Sequence, residues 1–217
     1  MLPGLAGIMA GLPEPRTVTQ TDSRTTEATS HSSVSFGDDA PDRQIMVLVW
    51  HNDTSSNPGN TPTATIGGVA ATRVRAYSTG NGSGTAVGTA IFVAAPTGTS
   101  GTVSVSWGTQ PVTIVVLRAT GYSGSAFDSG GHVTDGDTYA LGVPANGVVV
   151  GMAGKAATGV DVTWTNLSEK GNDDASGSSR SWGWDFPLGA QTRSITYAPY
   201  SGTQGTNTFA VASFSPV

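Results

Sequence analysis

The chain has 217 residues and a formal net charge of -5, with a pI near 4.9 and no Lys/Arg cluster, so it lacks the concentrated basic footprint that binding to a phosphate backbone requires. It contains no cysteine, which excludes disulfide staples and thiolate-bound zinc or iron–sulfur centres. Charged residues make up 12% against 37% hydrophobic, with 30 glycines, so solvation falls to Ser and Thr hydroxyls and to turns, while recurrent β-branched runs argue against a disordered chain.

Residues 1–15, MLPGLAGIMAGLPEP, are apolar but interrupted by Pro3, Gly4, Gly7 and Gly11. They lack the basic start of a signal peptide and are shorter than the ~20 apolar residues of a membrane span, so neither is expected. Poor helix formers that are costly to leave in water read as an arm that inserts into a partner through Met1, Leu2, Pro3, Leu5, Ile8, Met9 and Leu12. The alternative is a terminus that is disordered or packs back on its own domain. Residues 16–35 are Thr- and Ser-rich, the composition of a solvated linker or of exposed edge strands.

From Phe36 onward the pattern is that of a β domain spanning 36–217. RQIMVLVWH at 43–51 is a buried central strand bounded by turn chemistry at Asp38–Asp42 and Asn52–Asn60. Further strands are predicted at 63–68, 71–78, 88–95, 101–107, 112–120, 138–143, 147–154, 160–166, 180–186, 192–198 and 208–214, most of them separated by Gly, Pro, Asn and Asp. Val103, Val105 and Trp107 alternate with Thr102, Ser104 and Ser106, which puts one face on a core. No segment has ten or more residues at helical spacing free of Gly or Pro, so the expected fold is all-β, an antiparallel two-sheet sandwich of jelly-roll type with an extended N-terminal arm.

Candidate chemistry is sparse. His31, His51 and His132 lie in different contexts without the spacing of a helical zinc motif. Asp38, Asp39 and Asp42, Asp135 and Asp137, and Asp173 and Asp174 fall in predicted loops, where Asp serves Asx turns; Asp135 and Asp137 alternate in a way that suits calcium but lack a full ligand loop. A glycosidase needs two facing carboxylates, and Glu14, Glu27 and Glu169 all lie outside the strong strands. No GxSxG elbow is present, and STGNGSGTAVG at 78–88 lacks the Lys and helix of a phosphate loop. No catalysis and no cofactor are therefore expected. Trp182, Trp184 and Phe186 alternate, with Tyr197 and Tyr200 in the next hairpin. On an exposed face Trp182, Trp184, Tyr197 and Tyr200 would stack on a glycan or contact another subunit, but core filling is the expected role of such aromatics.

The apolar MLPG start, the DDAPDRQIMVLVWH strand, the TPTATIGGVAATRV hairpin, AIFVAAPTGTSGTVSVSW and NGVVVGMAG together resemble the small β-sandwich virion proteins of tailed phages and prophages of proteobacteria. The resemblance covers most of residues 36–217. It implies a capsid decoration, head-fibre or tail-appendage subunit on the virion surface, made in the host cytoplasm and attached by a terminal peptide. Its partners would be other virion proteins and further copies of itself, with a trimer preferred by analogy to three-fold virion parts. A carbohydrate-binding or host-receptor-binding module is the competing reading.

Overall fold

The computed structural model describes residues 15–53, 59–80, 86–133, 137–156, 162–175, 178–199 and 206–217. Within them the chain forms seventeen strands and no helix. The first half contains β1 (Thr17–Ala28), β2 (Ser30–Ser35), β3 (Gln44–Asp53), β4 (Thr63–Ile66), β5 (Val69–Ala70), β6 (Thr72–Gly80), β7 (Ala86–Ala94), β8 (Ser100–Ser106) and β9 (Val112–Thr120). The second contains β10 (Tyr122–His132), β11 (Thr138–Val143), β12 (Val148–Lys155), β13 (Val162–Thr165), β14 (Glu169–Ala175), β15 (Ser178–Asp185), β16 (Gln191–Pro199) and β17 (Asn207–Pro216).

Each half is a sandwich of its own. In the first, a sheet ordered β1-β9-β3-β7-β6 faces one ordered β2-β8-β4-β5; in the second, β10-β17-β12-β15-β14 faces β11-β16-β13. All the ladders are antiparallel. With the short β5 set aside, the two orders are the same. In each half the first strand pairs with the last and the last with the third, while the second strand pairs with the penultimate and that one with the fourth. This is jelly-roll connectivity, present twice in tandem.

The sheets stack in four layers with three cores between them. Alternate residues of the inner strands face opposite ways. Ile45, Val47 and Val49 of β3 meet Val34, Ile66 and Val103 of the outer sheet and Trp107 just beyond β8, whereas Met46, Leu48 and Trp50 face the second half. There they meet Val148, Val150 and Met152 of β12 and Ala210, Ala212 and Phe214 of β17. The opposite face of β12 and β17 presents Val149, Ala153, Phe209 and Val211 to Leu141, Val143, Ile195 and Tyr197. Polar bonds also cross between the halves: Trp50 Nε1 donates to Ser178 Oγ at 3.1 Å, and Trp182 Nε1 to Gln20 Oε1 at 2.9 Å.

The expected all-β antiparallel jelly-roll sandwich is what forms, but with four sheets rather than two. The reason lies in the inner layers. Because the β3–β7–β9 and β12–β17 regions are covered on both faces, β7 and β12 are buried at every position. Outer strands such as β4 keep strict alternation of exposed and buried residues. Residues 17–35 take the edge-strand alternative, β1 and β2 forming edges of the first two sheets.

Candidate functional site

The register of the ladders gathers one set of strand ends. Thr17 pairs with Thr120, Gln44 with Ala119 and Ile45 with Ala94; in the second half Tyr122 pairs with Pro216, Val148 with Phe214 and Val149 with Asp185. Gly121 joins the two sets, so Pro15, Val217 and the connections 36–43, 95–99, 144–147 and 186–190 share one end of the molecule. Gly121 is required there: its φ is +74°, and a Cβ would lie 2.6 Å from Arg16 Cγ.

The first half closes its part of this end with charge. Arg43, 2% exposed, donates from Nη1 to the carbonyls of Gly37 at 3.3 Å and Asp38 at 3.2 Å, and from Nη2 to those of Pro96 at 2.5 Å and Gly98 at 2.9 Å. Asp39 pairs with the same guanidinium at 3.1 Å. Asp42 accepts from Gly121 N at 2.6 Å, and Arg118 Nε donates to Asp38 O at 2.8 Å. This fork of bonds fixes the segment 36–43 over the β7–β8 connection.

The second half leaves its part apolar. Phe186 is 46% exposed and Leu188 85% exposed, beside a groove of about 320 Å³ lined by Pro15, Arg16, Tyr122, Asn146, Pro187 and these two residues. The Tyr122 and Phe186 rings lie 6.5 Å apart. Burial raises the Tyr122 pKa above its ordinary value, the nearby Arg16 charge offsetting part of that rise, so the hydroxyl stays neutral at physiological pH. A second groove of about 600 Å³ runs from Pro15 and Thr17 to Asp39–Asp42, Arg118 and Thr120. Pro15 borders both. The Phe186–Leu188 groove thus has an apolar wall, while the second groove is lined by the charged Asp39, Asp42 and Arg118.

The sequence-predicted arm residues Met1, Leu2, Pro3, Leu5, Ile8, Met9 and Leu12 lie outside the described residues, as do Tyr200 and Asp135. Trp182, Trp184 and Tyr197 do not make a common stacking platform. Trp182 is 7% exposed in the core between the halves, with Trp184 half-buried against it and Lys170 5.7 Å over its ring. Tyr197 is fully buried in the outer core of the second half, where Trp164 and Phe209 pack around it. Trp182 and Tyr197 thus take the expected core-filling role, and because there are four layers they fill different cores.

The three histidines stay apart. His31 is buried, its Nε2 donating to Val112 O at 3.0 Å; His51 is buried with Trp107 edge-on at 4.5 Å; His132 Nδ1 contacts Asp137 Oδ2 at 2.6 Å. Among the described residues no three His, Asp or Glu side chains converge as metal ligands. Asp173 sits in β14 rather than a turn and pairs with buried Arg180 at 2.5 Å, and Glu169 begins the same strand, accepting from Ser181 Oγ at 2.9 Å.

Phe186 and Leu188 are the surface residues that sequence reasoning missed. Phe186 lies in phase with Trp182 and Trp184 but falls just beyond the last residue of β15, where the alternation ceases to place it on the core. No family model, curated protein or solved structure matches the chain.

Proposed function

We propose that the chain is a non-catalytic structural subunit of a phage-like virion surface, a decoration, head-fibre or tail-appendage protein attached through its N-terminal segment. The observation that carries this reading is the polarity of the tandem jelly roll. Pro15 enters at an end bearing exposed Phe186 and Leu188, while the ends of β3, β10 and β12 and the starts of β7 and β17 lie at the opposite end. A segment that leaves one end of a rigid β body can hold that body on a particle while the other end faces outward. Residues 1–14 have the apolar character of an inserted peptide and the β body supplies the rigid spacer. Self-association with further copies, three-fold by analogy with fibre-like virion parts, belongs to the same proposal.

The test is the protein content of particles purified from the phage or prophage whose genome encodes the chain. Mass spectrometry finding it in a fixed ratio to the major capsid or tail protein, together with antibody labelling of intact particles, would support the reading. Its absence from washed particles despite expression in the host would refute it.

A further inference from the structure

The two jelly rolls present equivalent connections at the end where Pro15 enters. The β7–β8 connection (95–99) and the β15–β16 connection (186–190) occupy the same place in their jelly rolls, and Pro96 and Gly98 of one match Pro187 and Gly189 of the other in position. In the first half, segment 36–43 is tied to the connection, with Arg43 Nη2 donating to Pro96 O at 2.5 Å and Gly98 O at 2.9 Å. The corresponding second-half segment is only 144–147, and it contributes the bond from Asn146 N to Leu188 O at 3.2 Å. Where the first half carries Ala95 and Thr97, the second carries Phe186 and Leu188, 46% and 85% exposed. The two connections thus share one pattern of exposure, but only the second half's carries large apolar side chains at its exposed positions.

The groove itself indicates its occupant. Pro15 and Arg16 form part of its wall, opposite Tyr122, Phe186 and Leu188. The residues directly preceding Pro15 include Leu2, Leu5, Ile8, Met9 and Leu12, and a short tether holds such a segment beside the groove at an effective concentration on the order of millimolar. We propose that residues 1–14 of the same chain pack into the Tyr122–Phe186–Leu188 groove and shield its exposed apolar side chains. The groove then stores the segment in the free subunit, and a partner takes it only by outcompeting the intramolecular contact. Such storage lowers the apparent affinity of the segment for its partner in proportion to the fraction of time it is docked, and keeps free subunits from associating through it. The inference stands whether or not that partner is a virion.

The natural chain has no cysteine, so the full-length Leu188→Cys variant reports on the groove through one thiol. Its rate of reaction with a soluble disulfide reagent is measured in the native segment and in one with Leu2, Leu5, Ile8, Met9 and Leu12 all changed to Ser. A seat occupied nine times in ten slows the thiol about tenfold, so the polar segment should react about tenfold faster. Thr97→Cys, at the equivalent place in the first half, should react equally fast with either segment, which also reports that the fold is intact. Protection should be the same at low and high protein concentration. Equal rates for the Leu188→Cys thiol with the two segments would overturn the proposal. So would protection seen only at high concentration, which would assign the groove to the segment of a second copy.

Discussion

Gly154→Ala tests how the two jelly rolls pack, because Gly154 of β12 lies under the Trp50 ring of β3. A Cβ at this position would fall 2.6 Å from Trp50 Cε3 and Cζ3 and 2.8 Å from Cη2, against the 3.4–4 Å of ordinary contact. The ring cannot simply move aside: Trp50 is fully buried, and its Nε1 is bonded to Ser178 Oγ at 3.1 Å across the same interface. Overpacking of a rigid core costs about 1–3 kcal/mol, and the pinned ring puts this substitution toward the upper part of that range. For a chain of this size the Tm should fall by about 2–4 °C for each kcal/mol lost. Urea unfolding followed by circular dichroism measures the loss. Trp50→Phe opens space where the new methyl would sit, so the double variant should be more stable than the sum of the single changes predicts, by about 1 kcal/mol. A Gly154→Ala variant within about 0.5 kcal/mol of the native chain, or strict additivity with Trp50→Phe, would refute the assigned packing of β3 on β12.

Further outcomes follow from the same geometry. Arg43→Ala removes the fork to Pro96 O and Gly98 O and should cost about 2–3 kcal/mol in urea unfolding, with Arg43→Lys recovering only part because a point charge cannot span the same carbonyls. Burial lowers the His31 pKa below its ordinary value of 6.5, so the folded state binds fewer protons than the unfolded. Stability should therefore be complete above pH 6.5 and fall as the pH drops below it toward the depressed folded pKa; Tm measured against pH should show that slope, and His31→Gln should flatten it. Leu48→Ala, in the core between the halves, should cost about 2–5 kcal/mol and speed amide exchange in β12 of the second half as well as in β3. Exchange changes confined to the first half would contradict a shared core.

Most strands are legible because their residue patterns report burial directly. The run from Ile45 to Trp50 announces a strand covered on both sides, and alternation at Val103, Val105 and Trp107 announces one covered on a single side. β10 and β14 escape the pattern, since Tyr122–His132 is rich in Gly and Ser and Glu169–Ala175 is charged. Both are edges of the inner second-half sheet, where fewer neighbours constrain composition. The number of layers is hidden for a different reason: a continuous apolar run shows that both faces are covered but not by what. The repeat leaves a faint mark in the matched Pro96/Gly98 and Pro187/Gly189 pairs, legible only once the strand order aligns them. The exposed groove cannot be read from hydrophobicity at all. Phe186 and Leu188 look like core residues until the end of β15 places them beyond the sheet.

The central claim is attachment to a particle through the N-terminal segment. Its most direct test compares co-sedimentation of the native chain with that of a variant in which Leu2, Leu5, Ile8, Met9 and Leu12 are all changed to Ser, using particles stripped of or lacking the protein. Circular dichroism shows whether both remain folded. The account predicts that the native chain pellets with particles and the folded variant stays in the supernatant; equal pelleting of the two would contradict it and place the attachment on the β body.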